Sequence, residues 1–376
     1  MDLTFVFPCL NEHRTLARCI DAVRQSLEGD PALKFEIVVA DNGSTDNSRD
    51  IAVEHGARVV PVPQRGYGAA LRGGIDAAAG KYVMFADADG TYCYEHALQL
   101  YQTTSRADAD MGIASRMMGT IEPGAMPTLH RHLGTPVLTT LINLLFHGKL
   151  SDCNSGFRCL KKTAYDTWQI RASGMEFASE LLIKALKKRA STVEIASGLR
   201  PAPVDRVPHL RTWRDGMRHL LFILSERPRL FELIGLVLIC AATVLQGIAA
   251  ATGPIKLGGL NIFDVHSQVL LMLCALTGTQ IYMLAAAMFL QKSEVPRGIT
   301  RRLIEMDEGS LFFILTSLLA GIGLVIAWIV VQWAVANFTG LNYANSLIVW
   351  MHFLAVPLTI TFGMLGVHIL RKGRIG

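Results

Sequence analysis

The segment MFADADG, Met84–Gly90, sets Asp87 and Asp89 one residue apart where the apolar run Val83–Ala86 ends. Two carboxylates this close repel each other unless a cation lies between them. Leaving a strand at positions i and i+2, they can direct oxygens at one hard divalent ion. Mg²⁺ or Mn²⁺ would keep its other positions for water and a diphosphate. The plainer alternative is a turn with two exposed acids. Two further groups weigh against that alternative: Asp41 ends the run FEIVVAD, and Pro8 ends LTFVFP. Asp41 alone could be no more than a turn cap, so the argument rests on the three strand ends together.

Such ends meet only if a sheet brings them together. LTFVFP (Leu3–Pro8), FEIVVAD (Phe35–Asp41), ARVVPV and KYVMFAD read as short buried strands. Between them, Asn11–Leu27 reads as a helix with Leu16, Ile20, Val23 and Leu27 on one face. A second helix starts near Asn47 and a third covers about Ala69 to Ala79. Strands alternating with helices at this spacing predict a parallel α/β sheet. Ligands of such sheets bind beyond the carboxyl ends of the strands.

The rest of the chain is of another kind. Of 376 residues, 51% are hydrophobic and 18% charged, with mean hydropathy +0.34. This is too apolar for one soluble domain and too charged for a wholly membrane-embedded protein. Four long apolar stretches follow Arg229: Leu233–Ala251, Val269–Leu290, Leu311–Val335 and Ser346–Leu370. Each reaches the roughly 20 residues that a bilayer-spanning helix needs. Lys292, Arg297, Arg301 and Arg302 follow the second stretch, and Arg371, Lys372 and Arg374 follow the fourth. The loop 336–345 has neither Lys nor Arg. The positive-inside rule therefore predicts a multi-pass protein of the cytoplasmic (inner) membrane, with N-terminal domain and C-terminus cytoplasmic. Met1–Leu10 is acidic, then apolar, and is not expected to act as a signal peptide. The net charge of +5 suits an anionic membrane surface better than nucleic acid, so no nucleic-acid partner is expected. Seven cysteines include no CxxC pair, and Cys153 and Cys159 lack a second pair at zinc spacing.

Between the halves, 205–229 reads as an amphipathic helix. Leu210, Trp213, Met217, Leu220, Leu221 and Leu224 form one stripe, and Arg211, Arg214 and Arg218 occupy another face. A helix lying in a headgroup layer has this pattern, and so does one packed on the soluble domain. The expected boundaries are 1–204 for the cytoplasmic domain, 205–229 for this juxtamembrane helix and 230–376 for a four-helix membrane domain.

The segments FPCLNE, VVADNGSTDNS, RGYGAALRGGIDAAAGKYVMFADADG, ASR and DCNSGFR occur in an order that resembles family-2 inverting glycosyltransferases of the GT-A fold. The similarity covers about residues 3–225, and the polyprenyl-phosphate glycosyltransferases, of the dolichyl-phosphate mannose or glucose synthase type, look most alike. The implied fold is a Rossmann-like α/β nucleotide-sugar domain followed by an interfacial helix and about four transmembrane helices. By position, the resemblance assigns Pro8, Asn11 and Glu12 to the nucleotide pocket, Asp41 to the base or ribose, and Asn42 to a place where many relatives carry a second aspartate. Asp87 and Asp89 flank the metal, with Asp89 the more direct ligand. Thr91 stands where mannose-synthase-type relatives often carry glutamine, which leaves the third ligand to water or diphosphate. Arg116 and Arg131 match arginines that meet the acceptor phosphate, and Arg206 and Arg211 match basic residues near it. Asp152, Ser155, Gly156 and Phe157 match the segment near the donor sugar.

Chemistry agrees with these roles. The departing nucleoside diphosphate gathers negative charge, which a divalent ion stabilises. A phosphate monoester with second pKa near 6 is already largely ionised at neutral pH, so a general base is dispensable. Cationic positioning is what remains, and arginine forks suit it. Asp152 is the best carboxylate if a base is used. His130 and His132 are expected to be structural or phosphate-adjacent, His352 and His368 interfacial or packed, and Glu176 and Glu180 begin a helix, with Glu176 also a candidate substrate contact. The expected reaction is hexose transfer from a nucleotide sugar to a polyprenyl phosphate, with UDP-glucose the first choice and GDP-mannose and UDP-N-acetylglucosamine behind it. A processive polysaccharide synthase is the nearest rival, but LRTWR lacks the Gln-x-x-Arg-Trp pattern. A non-catalytic nucleotide-sugar-binding scaffold is the rival of another class. The spans leave both simple anchoring and a homo-oligomer open.

Overall fold

The computed structural model describes residues 1–203, 212–257, 260–291, 294–336 and 344–372. The chain forms two compact units, Met1–Leu224 and Ser225–Gly376.

At the centre of the first unit is β1 (Leu3–Cys9), apolar and buried along almost its whole length. A strand covered on both faces has this composition. β2 (Phe35–Asp41) and β4 (Tyr82–Phe85) flank it in parallel, and β3 (Arg58–Pro61) extends the sheet beyond β2. These four strands run parallel, as their sequence pattern predicts. β5 (Met111–Ser115), β6 (Arg158–Lys161) and β7 (Thr192–Ala196) complete the order β3-β2-β1-β4-β6-β5-β7. β6 lies antiparallel to both β4 and β5, so the sheet is mixed, not all-parallel. Pro8 fits a central strand because β4 stops pairing at Val6, so no neighbouring strand flanks Pro8 on that side. The strand order reverses between β1 and β4, where a crevice opens beyond the carboxyl ends.

α1 (Leu16–Leu27) buries Leu16, Cys19, Ile20, Val23 and Leu27. It begins five residues later than the pattern suggests. Asn11 has φ 59°, donates its N–H to Ser44 Oγ and accepts from Thr45 N, so the chain turns before it coils. α2 (Ser48–Glu54) and α4 (Ala97–Arg106) share α1's side of the sheet through Ala52 and Leu100. α3 (Tyr67–Asp76), α5 (Thr135–Phe146), α6 (Lys162–Trp168) and α7 (Phe177–Lys187) cover the other side through Leu71, Ile142, Tyr165 and Leu181. α8 (Thr212–Ser225) adds Ile223 to this second core while exposing Met217 and Leu221. α3 runs from Tyr67 to Asp76, earlier at both ends than the expected Ala69–Ala79.

The second unit holds α9 (Pro228–Thr252), a hairpin of β8 (Ile255–Leu257) and β9 (Leu260–Ile262), α10 (Val265–Gln291), the short α11 (Gly298–Glu305), α12 (Glu308–Val335) and α13 (Ala344–Lys372). Four of these helices are long and apolar enough to cross a membrane. α9 and α10 approach closely at two glycines. A Cβ on Gly278 would lie 2.7 Å from Leu238 Cβ, and one on Gly235 would lie 2.7 Å from Tyr282 N. Small residues at such crossings are what close helix packing in lipid requires. His352 and His368 are buried, and His352 Nε2 lies 3.1 Å from Thr243 Oγ1.

Candidate active site

The loop 87–91 leaves β4 at the switch point. Its backbone is pinned twice: Thr15 Oγ1 donates to Ala88 O at 2.7 Å, and Tyr94 Oη donates to Asp87 O. Asp89 is only 7% exposed, and its Oδ1 accepts from both the N–H and the hydroxyl of Thr91 at 3.0 and 2.7 Å. Thr91 therefore orients Asp89 from behind. The hydroxyl of Tyr67, at the start of α3, bonds Asp87. Burial, reinforced by the Asp87 charge, pushes that hydroxyl well above its ordinary pKa, so it stays a donor. The other wall of the loop is Gly156. Its N–H donates to Tyr92 Oη at 2.7 Å, and a Cβ there would sit 3.1 Å from Asp87 Oδ2.

The residues fit a hard divalent cation. Asp87 and Asp89 supply carboxylate oxygens, and among the described residues no cluster of three or more His, Cys, Asp or Glu surrounds an ion position. Two protein carboxylates with the remaining positions left to phosphate and water is the usual arrangement for Mg²⁺ at a nucleotide.

The second strand end is a closed bracket. Asp41, 1% exposed, accepts from Gly43 N, Ser44 N and Arg49 Nε. Burial would raise its pKa, but the bonds from Ser44 and the Arg49 charge hold it below the ordinary carboxylate range. Its two oxygens thus cap their own turn. Asn42 donates to Val62 O and Gln64 O and accepts from Gly66 N. An aspartate could not make the two donations, which explains the amide here. The turn at Gly66 is itself covered by the segment 171–174. Ala69 N donates to Ser173 O, and a Cβ on Gly66 (φ 128°) would lie 2.2 Å from that oxygen. Buried Glu180 holds the segment through bonds to Arg171 N and Ala172 N. Glu12 donates its N–H to Ser48 Oγ.

Arg116, just past β5, grips Asp152 through Nε at 2.7 Å and Nη2 at 2.9 Å. Asp152 also accepts from Arg116 N and Asn154 N, and it is 0% exposed. Burial would raise its pKa, but the Arg116 charge and these bonds hold it low. Both oxygens of Asp152 are engaged within the fold, and the pair braces the Arg116 guanidinium. Ser155 is buried and donates to Ala114 O, a bond internal to the fold. Arg131 is exposed, in a π-type turn at His130–Gly134. Arg206 and Arg211 lie outside the described residues. Glu176 stands at the N-terminal boundary of α7 without a side-chain cap bond and lies against Gly174. A cavity of about 470 Å³ adjoins the loop, lined in part by Thr15, Arg18, Gly90, Tyr92, Glu122 and Arg200.

Sequence reasoning missed Thr15, Tyr67, Tyr92, Tyr94 and Arg158, and it took Glu180 for a helix-start residue only. The aromatic run TYCY directly after DADG was the available signal. Arg158 is fully buried and donates to the carbonyls of Ser155, Ala178 and Cys153, tying the DCNSGFR segment to α7.

Residues 4–168 match the family described as glycosyl transferase family 2. The low-salt glycan biosynthesis hexosyltransferase Agl6 of Haloferax volcanii is 34% identical over 372 residues, 96% of this chain and 87% of that protein. The chain belongs to glycosyl transferase family 2. This family-2 protein is a glycosyltransferase. It is also 35% identical over 100 residues to a human dolichyl-phosphate beta-glucosyltransferase, a match of 23% of this chain and 31% of that one. The crystal structure of glucosyl-3-phosphoglycerate synthase from Mycobacterium tuberculosis in complex with Mn²⁺ and UDP-glucose overlaps 60% of this chain and 78% of that chain, with 23% identity and a TM-score of 0.45. That overlap is too loose to transfer any site residue.

Proposed function

We propose that this glycosyltransferase moves one hexose, with inversion, from a nucleotide sugar to a polyprenyl phosphate at the cytoplasmic face of a membrane, and that UDP-glucose is the preferred donor. The observation that carries the reading is the Asp87–Asp89 loop, pinned at the switch point of a sheet in a chain with four membrane-length apolar helices. The partial match to a relative named for dolichyl phosphate and glucose supports the acceptor class and the sugar.

In this reading Asp87 and Asp89 would hold Mg²⁺ or Mn²⁺, which would supply positive charge for the departing diphosphate. Tyr67 and Thr91 keep the two carboxylates aimed. The bracket of Asn42, Gly66 and the 171–174 segment shapes the nucleotide end of the crevice. A phosphate oxygen of the acceptor forms the bond to the anomeric carbon as the bond to the nucleoside diphosphate breaks. A phosphate dianion needs no proton removed, so the step requires no general base. In this reading Asp152 holds the Arg116 guanidinium in place for the acceptor phosphate.

The test incubates purified protein with Mn²⁺, undecaprenyl phosphate and a panel of radiolabelled nucleotide sugars, then counts the organic phase. One labelled lipid, lost with EDTA and with Asp89→Ala, is expected. Label in long polymer instead would favour a processive synthase. Nucleotide-sugar binding without any labelled lipid would sink the lipid acceptor, and binding without transfer to any acceptor would favour a scaffold.

A further inference from the structure

Given the metal role proposed for Asp87 and Asp89, we infer that Glu180 on α7 is a positioning residue for the divalent ion. It staples the segment 171–174 against the first turn of α3, and the stapled turn holds Tyr67 on Asp87.

Tyr67 is gripped through its neighbours in sequence. It opens α3 between Gly66 and Gly68, and both glycines lie directly against the segment. A Cβ on Gly68 would lie 2.6 Å from Ala172 O and 2.8 Å from Gly174 O. α3 has no side-chain bond at its N-cap. A helix start leaves N–H groups without partners inside the helix. Here Ser173 O takes the one at Ala69, at 3.0 Å. The first turn of α3 is thus built on the segment, and the Tyr67 hydroxyl in that turn bonds Asp87.

The segment itself lies outside helix and strand, and one side chain fixes it. Glu180 is buried, and its Oε2 accepts from Arg171 N at 2.9 Å and from Ala172 N at 2.7 Å. Its Oε1 pairs with Lys184 at 2.7 Å. Lys184 also donates to Gln169 O at 2.6 Å, where the chain leaves α6 with φ 51°. Burying a carboxylate is costly unless its oxygens are bonded. The bonds of Oε2 all go to the segment, so the segment is what this charge secures. The helix that carries Glu180 is anchored beside the metal loop. Phe177, its first residue, packs its ring 6.1 Å from that of Phe85, two residues before Asp87. Staple and metal loop therefore share one base, and displacement of the segment reaches Asp87 through Tyr67.

The test titrates UDP and GDP into the full chain in nanodiscs, once with Mn²⁺ and once with EDTA. The readout is the factor by which Mn²⁺ tightens the better-bound nucleotide. This factor cancels damage to the nucleotide pocket common to both arms, which a merely structural role would cause. Groups that orient metal ligands typically set ion affinity by 10- to 100-fold, so Tyr67→Phe and Glu180→Ala should each lower the factor about 10-fold. The double variant should lower it no further, because both changes act on one contact. Glu180→Gln keeps an oxygen for the two N–H groups and should restore most of the factor. Gly68→Ala pushes Ala172 O off the turn and leaves the carboxylate in place, so it serves if Glu180→Ala does not fold; it too should lower the factor. An unchanged factor in Glu180→Ala or Gly68→Ala would overturn the inference, and so would losses that add in the double variant. A parent that binds nucleotide equally with and without Mn²⁺ would overturn the metal reading, and this inference with it.

Discussion

Replacing Arg116 by methionine isolates the buried ion pair. The substitution removes two of the four bonds to Asp152, leaving only Arg116 N and Asn154 N on a carboxylate with no solvent exposure. Breaking a buried pair from one side costs about 3–5 kcal/mol, because the remaining charge has neither water nor partner. For a unit of this size, about 2–4 °C of melting temperature corresponds to each kcal/mol, so the expected fall is roughly 6–20 °C. The double variant Arg116→Met/Asp152→Leu removes both charges and should recover much of that loss, since an apolar pair of similar volume is often neutral. A thiol-reactive dye reads the transition directly: Cys9, Cys19, Cys93, Cys153 and Cys159 are all buried in the first unit and react as it opens. Two results refute the reasoning. One is a single-variant midpoint within about 2 °C of the parent, below the shift that even 1 kcal/mol produces. The other is a double variant that merely adds the two single losses, which means the residues do not interact.

The acid limb should follow from the same pair. Asp152 and Asp41 both have folded pKa values below their ordinary value near 3.8, so their contribution is present above that pH and is lost as pH falls through the folded values. The unfolding midpoint of the first unit should drop steeply below about pH 4, and less steeply in the double variant; dye-monitored melts across pH 2.5–6 check this, and identical slopes would contradict it. Gly156→Ala puts a Cβ 2.8 Å from Tyr92 Oη and 3.1 Å from Asp87 Oδ2. Transfer should fall on the order of 10- to 100-fold, as displaced catalytic groups do, with a small melting change, measured as kcat/KM with saturating Mn²⁺. Gly278→Leu forces α9 away from α10, because its first side-chain atom already meets Leu238 Cβ at 2.7 Å and Gly235 O at 2.9 Å. Overpacking of about 1–3 kcal/mol is expected, seen as SDS unfolding of the second unit at lower detergent fraction while the dye-monitored midpoint of the first unit stays unchanged.

What the sequence revealed was local. Four parallel strands, the buried face of α1 and the four apolar helices each announce themselves within a short window, through runs and periods. The carboxylates at strand ends were readable for the same reason. What holds those carboxylates was not, because its partners are far apart in the chain. Thr15 bonds Ala88 across 73 positions, and Tyr92 meets Gly156 across 64. β6 escaped because it is four residues long and begins with an arginine, and a charge reads as surface until three carbonyls are seen around it. Asn11 hid a left-handed turn inside an apparent helix start.

Asp152 shows how residue type and residue geometry diverge, and the divergence bears on function. By type, an aspartate in DCNSGFR is a candidate base. By geometry, it accepts four bonds, carries a guanidinium against both oxygens and has no exposed surface. Drawing a proton to it would require breaking the pair that holds Arg116, at the cost worked out above. An acceptor hydroxyl would have to lose a proton during attack. A phosphate monoester arrives already ionised. Under the proposed function the acceptor is a phosphate, not a sugar hydroxyl, and the pair stays closed during transfer. The radiolabel experiment separates the two, since only the former carries label into the organic phase as a single-sugar lipid.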